Sequence, residues 1–424
     1  MTASQENSSH PPLDHSKRQI RLLSISEDAD GKIACDLSVF DLSSCPPFIA
    51  LSYVWGSPSV QHEITLNGYA FFIRHNLYSA LKSISNHLKT ATGEQAITNN
   101  SPEAPSSEFN ADGLKRFHQS PGCWKYFWID AICINQNEVS ERNHQVRMMS
   151  HIYKGAVFVL VWFGPSCEKA LYLLATADLV KLRTVHRPYT GHFQKSDFSE
   201  PLIPLLESEY WSRMWIVQEF VLAQDLVFAS GSVLVHWDRA NHLFPEVYAL
   251  GDPGDIGSAV TLVNERRQHR FRQKQGMHPD LHELFRSFRL MKCSDPRDRV
   301  FALFGLLGKS SNLADNVLVV DYSLTPAQLC IRIVRLASRS LKRKILEELH
   351  GLLDAALEVN QDNLDTATNK ELSLIYEGIP DVEYDYRDRS ELYEITRTMD
   401  RAWFMQRWMA ERGLDLRLLE AAYR

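Results

Sequence analysis

The sequence predicts an α/β protein, with a parallel sheet flanked by helices and a mainly helical C-terminal region. Three observations carry this. Tyr126–Ile134 (YFWIDAICI) and Ala156–Phe163 (AVFVLVWF) are almost continuously apolar and of strand length, as strands buried on both faces are. Between them Val139, Arg142, Val146, Met149 and Tyr153 recur every three or four residues, the period of a helix with one buried stripe. Strand, helix and strand with short connections read as a βαβ unit. Beyond residue 259 the patterns are mostly helical.

The elements follow in order. Residues 1–17 are polar and aperiodic, which predicts a disordered tail. Strands are expected at IRLLSI after Gln19, at Lys32–Val39, and at Phe48–Trp55, which ends at Gly56. Glu63–Leu66 and Tyr69–Ile73 flank Asn67-Gly68, the pair that favours a type I′ hairpin turn. Asn76 is placed to cap a helix with the stripe Leu77, Leu81, Ile84 and Leu88. Residues 90–114, rich in Ser, Thr, Asn, Glu and Ala, read as a mobile surface insertion. After the βαβ unit come a helix over 166–182, a loop over His186–Ser199 and a very apolar helix over Trp211–Gln224. Leu226–Ala229 and Val233–His236 form a hairpin about Ser230-Gly231, and Asp252–Gly257 is a linker. Residues 259–291 are helical. Asp295 caps a further helix with Pro296 at its first position and Gly308 past its end, and Thr325-Pro326 opens another. Residues 341–424 mix helical patterns with the acidic loop Glu377–Glu391.

At 424 residues the chain suits two or three domains rather than one. Lys and Arg number 46 against 52 Asp and Glu, a net charge of −6 that argues against general nucleic-acid binding. The longest strongly apolar run, Ala156–Phe163, is far too short to span a membrane, and the polar N-terminus has no secretory pattern. The 7 cysteines are scattered and never spaced CxxC, so neither a disulfide framework nor a zinc knuckle is expected. Reduced thiols in the cytoplasm fit this best.

P-loop, GxGxxG, GxSxG and HExxH signatures are absent, and no metal site is expected. The basic run Arg266, Arg267, Arg270, Arg272 and Lys274 reads as a solvated helix face. Glu219 is the most informative residue. On one helix Trp211, Trp215 and Glu219 share a face at i, i+4 and i+8, and only Gln218 and Glu219 are polar after Arg213. A carboxylate there is desolvated and must be paired or put to use. Its structural alternative is an ion pair with Arg213 or Arg142. Asp130, inside the expected strand, reads as structural, held by a hydrogen bond to neighbouring backbone or by an ion pair for which Arg142 is the anchor on offer. Asn135 and Gln136 lie where that strand ends, the edge at which parallel sheets place their sites. Ser52, Tyr53 and Trp55 rim the same edge if their strand joins the sheet.

Four blocks together resemble the fungal heterokaryon incompatibility (HET) domain: IALSYVWGSP at 49–58, the long block at 127–164, SRMWIVQEFVLA at 212–223 and SDPRDRVFALFGLLG at 294–308. The resemblance implies a HET domain at 18–240 with its core at 48–223, a family-associated helical region at 241–340, and a tail at 341–424 of unassigned role. It implies a cytoplasmic fungal protein of self/non-self recognition, a form of innate immunity tied to programmed cell death. Its partners would be further copies of itself or another incompatibility protein. The HET core is also distantly similar to the TIR domain, a flavodoxin-like α/β module. Ser212, Trp215 and Glu219 match its Ser-x-Trp-x-x-x-Glu pattern loosely. By that resemblance Glu219 becomes the catalytic acid of an NAD-cleaving site, with NAD as substrate and no cofactor. Ser52, Tyr53, Trp55, Asn135, Gln136 and Trp215 become substrate-binding candidates. The alternative is a non-enzymatic module that signals by assembling with other proteins.

Overall fold

The computed structural model describes residues 9–28, 30–92, 124–176, 200–241, 257–279, 281–307, 320–339, 343–359, 366–377 and 379. Nine strands form one sheet: β1 (Gln19–Glu27), β2 (Ile33–Asp41), β3 (Ile49–Tyr53), β4 (Gln61–Leu66), β5 (Tyr69–Arg74), β6 (Phe127–Trp128), β7 (Phe158–Trp162), β8 (Leu226–Ser230) and β9 (Val233–His236). Their order is β5-β4-β2-β1-β6-β3-β7-β8-β9. The central four, β6-β3-β7-β8, are mutually parallel. Renumbered along the chain, their order is 2-1-3-4, that of a doubly wound, flavodoxin-like sheet. Every residue of β3, β7 and β8 is buried, as their apolar runs require. Antiparallel hairpins extend the sheet on both sides, so it is mixed rather than purely parallel.

The helices are α1 (His75–Thr92), α2 (Asp130–Cys133), α3 (Val139–Gly155), α4 (Glu168–Thr176), α5 (Ile216–Val221), α6 (Gly257–Gln275), α7 (Leu281–Phe288), α8 (Asp298–Phe304), α9 (Pro326–Ala337), α10 (Arg343–Leu357) and α11 (Thr366–Glu377), besides single helical turns. The C-terminal part is therefore helical, as expected. Met1–Ile375 form one compact unit, and Tyr376–Arg424, nearly all outside the described residues, form a second. Among the described residues no helix is long and apolar enough to cross a membrane.

Several local expectations hold. Asn67 and Gly68 both take positive φ (50° and 82°), which is the type I′ turn. Thr325 and Gln328 form a complete capping box with Pro326 at the first helical position.

Others are corrected. The strand expected over Tyr126–Ile134 ends after Phe127–Trp128, because the Asp130 carboxylate accepts its neighbour's Ala131 N–H and the chain turns into α2. The helix expected over Trp211–Gln224 is split. Glu209–Ser212 is a 3₁₀ turn, Arg213 is extended against Lys292, and only Ile216–Val221 is α-helical. Met214 N–H donates to Lys292 O and Lys292 N–H to Ser212 O, a distant pairing that overrides helix propensity. The helix expected over 259–291 breaks at Gly276, whose φ is 66°. Asn76 lies inside α1 and bridges rather than caps. Its amide donates to Val54 O at 2.6 Å and accepts from the Trp162 indole at 3.0 Å. Asp295 caps a turn ahead of α8, accepting from Arg297 N–H at 3.0 Å, and the helix itself starts at Asp298. Residues 9–17 are not loose. The His10 imidazole is 2.9 Å from Ile132 O, and Arg21 donates to Pro11 O at 2.6 Å. Residues 1–8, most of the 90–114 insertion, the His186–Ser199 loop, nearly all of the Asp252–Gly257 linker, Gly308 and most of the acidic loop lie outside the described residues.

Candidate functional site

The site grows from the carboxyl end of β3. Ser52 and Tyr53 follow each other on a strand and so point to opposite faces. Ser52, fully buried between strands, donates its hydroxyl to Glu219 Oε2 at 2.5 Å. The Tyr210 hydroxyl lies 2.8 Å from the same Ser52 oxygen. From α3, the Tyr153 hydroxyl donates to Leu51 O at 3.3 Å and lies near Glu219. Three hydroxyls thus surround the carboxyl group.

Glu219 sits on α5, whose six residues are all buried. A helix this short has no stability of its own and leans on its neighbours. Arg266 on α6 donates to Phe220 O and Ala223 O, both at 2.7 Å, and Arg270 donates to Ala223 O at 2.7 Å. These guanidinium groups satisfy the orphan carbonyls of the helix C-terminus. The basic run expected to be a solvated face therefore holds α5 in place, with Arg266 itself buried. On the other flank the Gln218 amide donates to Phe301 O of α8 at 3.1 Å.

Glu219 is 2% exposed. Burial is the main force that lifts its pKa, to about 7. The Asp130 charge pushes the same way, while Arg213, the hydrogen bond from Ser52 and the nearby Tyr153 hydroxyl pull against it. No ion pair within 4.0 Å joins Arg213 to Glu219 or Asp130. Its guanidinium instead donates to Tyr53 O. Burial and the nearby Glu219 charge raise the Tyr210 phenol as well.

The second acid, Asp130, is half-buried just past the carboxyl end of β6, not inside a strand as expected. The Trp55 indole donates to its Oδ2 at 2.8 Å, and the Gln136 side chain donates to its backbone oxygen at 2.9 Å. Burial raises its pKa, opposed first by Arg213. Tyr53, fully buried, feels the Asp130 charge more than any other. The structure therefore gathers Ser52, Tyr53, Trp55, Asp130, Gln136, Arg213 and Glu219 at one sheet edge. Asn135 is tied into the adjoining loop, accepting from Asn137 N–H at 3.2 Å.

Two expected placements differ. Arg142 does not pair with Asp130; its guanidinium lies 5.0 Å over the Tyr322 ring. The buried pair of α3 is made one residue earlier, where Arg21 grips Glu141 with two bonds of 2.6 and 2.9 Å. Trp211 does not share a helical face with Glu219, because the helix that would align them is broken at Arg213, whereas Trp215 stays one turn before Glu219, whose N–H donates to its carbonyl at 3.5 Å. Trp211 packs against Phe163, Phe220 and Phe228 and donates to Leu205 O at 2.6 Å. Trp215 hydrogen-bonds Asp298. The rings that flank Glu219 are those of Tyr153 and Tyr210, which sequence reasoning missed. The available signal was Tyr153 on the buried stripe of its helix, since a buried phenol needs a polar partner.

The profile of the family described as Heterokaryon incompatibility protein (HET) matches residues 48–219, from the residue before β3 to Glu219 itself. This segment is a HET domain. Heterokaryon incompatibility protein 6, OR allele, of Neurospora crassa is 25% identical over 334 residues, which cover 66% of this chain and 45% of the relative. The chain thus spans less than half the length of that curated relative. No solved structure matches it. Both acids and all three hydroxyls belong to the HET domain, whereas the groups that hold α5, Arg266 and Phe301, come from beyond it.

Proposed function

We propose that this chain acts in heterokaryon incompatibility as a cell-death effector whose HET domain hydrolyses the nicotinamide–ribose bond of NAD, with Glu219 as the acting carboxylate. One observation carries the reading: Glu219 is held by hydroxyls rather than by a cation. A structural carboxylate in a core is normally neutralised, as Glu141 is by Arg21. Glu219 sits instead at the carboxyl edge of a doubly wound sheet, beside a second acid, where such folds place ligands. The distant likeness to NAD-cleaving TIR domains supports the substrate class.

The reaction breaks the C–N bond between ribose and nicotinamide, and the bonding electrons leave with nicotinamide. The Glu219 carboxylate stabilises the oxocarbenium character left on the ribose. A water oxygen then adds to that carbon, and the proton it loses passes to Glu219. Asp130, fixed by Trp55, and the Ser52 hydroxyl hold the ribose hydroxyls. Tyr53, Asn135, Gln136 and Trp215 complete the binding surface, and no cofactor takes part. Self-association opens the site to substrate.

The burial of Glu219 and Ser52 favours a second reading, a non-enzymatic module that signals by binding copies of itself or another incompatibility protein. Expression of the full chain in a fungal host separates the two. The enzyme reading expects NAD to fall and growth to stop with the wild type, and neither with Glu219→Gln. Growth arrest by Glu219→Gln at unchanged NAD supports the module instead. Normal growth with both chains overturns the incompatibility role.

A further inference from the structure

Beyond the HET domain, α9 and α10 bring three metal-ligating side chains to one point. Cys330 lies on α9, and His350 and Asp354 lie one turn apart on α10. Cys330 Sγ is 3.5 Å from Asp354 Oδ1, and His350 Nε2 is 3.5 Å from the same oxygen. All three donor atoms fall within 4.8 Å of one another. Cys330 and His350 are buried and Asp354 is half-buried.

Zinc bonds of about 2.0–2.3 Å in a tetrahedron place the donors roughly 3.3–3.8 Å apart. Two of the three separations already have this value, and the third closes with a side-chain rotation. The donor chemistry is selective. A thiol, an imidazole and a carboxylate suit zinc, whereas calcium and magnesium demand oxygen throughout. The charges also balance. One thiolate and one carboxylate cancel a divalent cation, so the occupied site is neutral and tolerates its buried setting.

We propose that Cys330, His350 and Asp354 form a zinc site that staples α9 to α10, with water in the fourth position. On binding, Zn–S, Zn–N and Zn–O bonds form, the Cys330 S–H bond breaks, and its proton leaves to solvent. This site is independent of the reaction proposed at Glu219.

Cobalt(II) titration of the full chain, stripped with a chelator, tests the proposal. One equivalent is expected to give sulfur-to-cobalt charge-transfer absorption and the intense visible bands of tetrahedral cobalt. Zinc should displace it, and one proton should be released per zinc bound to the metal-free chain. Cys330→Ser should abolish the charge-transfer band, and Cys330→Ser, His350→Gln and Asp354→Asn should each weaken zinc binding at least tenfold. Cys45→Ser, at a thiol hydrogen-bonded to Leu42 O beside β2, should change nothing. Absence of stoichiometric binding by the wild type, or tight binding that survives all three substitutions, overturns the proposal. If Cys330→Ser fails to fold, the nearly isosteric Asp354→Asn and the wild-type proton count decide.

Discussion

Replacing Glu219 by glutamine should stabilise the protein at alkaline pH and leave it almost unchanged in acid. The carboxyl group titrates near 7 when folded, against an ordinary 4.5, chiefly because it is buried. A raised folded pKa means that the native state holds the proton more tightly. The stability from this group is therefore full below about pH 4.5 and is lost as pH rises through 7. The gap between 4.5 and 7, at about 1.36 kcal/mol per pH unit, is about 3 kcal/mol. Glutamine keeps an oxygen for the Ser52 hydroxyl and carries no charge to desolvate. With an unfolding entropy of about 2.1 cal/mol/K per residue, a unit of this size should gain about 4 °C in melting temperature at pH 8 and about nothing at pH 5. Differential scanning calorimetry of both proteins across that range measures the difference directly. Glu265, also raised to about 7 by burial, is common to both chains and cancels. A Glu219→Gln variant equally or less stable at pH 8 would mean that Glu219 is neutralised by a cation, with Arg213 the nearest candidate.

Other substitutions test the supports of the fold. Arg21→Ala strands the buried Glu141 carboxylate and should cost about 3–5 kcal/mol by urea denaturation, most of it recovered by Arg21→Met with Glu141→Leu. Gly305→Ala places a methyl 2.5 Å from Ser150 Cβ and 2.8 Å from Gln218 Oε1, so α8 must move off α5. A loss of about 1–3 kcal/mol is expected by thermal melting, partly relieved by Ser150→Gly. Burial lowers His269 to about 4, so its contribution has the opposite sign to that of Glu219: full above about pH 6.5 and lost as pH falls through 4. A His269→Leu variant should hold its stability over that acid window, by at most about 3 kcal/mol, when both chains are melted at pH 4 and 7.

The sequence displayed what depends on local pattern. The buried runs of β3, β7 and β8, the Asn67-Gly68 turn and the Thr325 capping box were legible because each is decided by a few neighbouring residues. Glu219 was legible for the same reason, as an acid in an apolar stretch. What depends on distant partners was not. Lys292 splits the Trp211–Gln224 helix from far along the chain, and that split takes Trp211 off the helical face of Glu219. Arg266 looked like part of a solvated face, because periodicity does not reveal that α5 leaves carbonyls needing a buried donor. Asp130 ended a strand through one hydrogen bond to Ala131, which put the second acid at the sheet edge instead of inside it. Tyr153 and Tyr210 reached Ser52 and Glu219 only through tertiary packing.

Nicotinamide release from NAD by the purified full chain, at high protein concentration, tests the proposed role of Glu219 most directly. The wild type should release nicotinamide steadily, and Glu219→Gln, with an unchanged melting temperature at pH 5, should release it at least about a hundredfold more slowly, the lower range for a lost acid–base group. No release by the wild type, or equal release by both proteins, would contradict a catalytic Glu219.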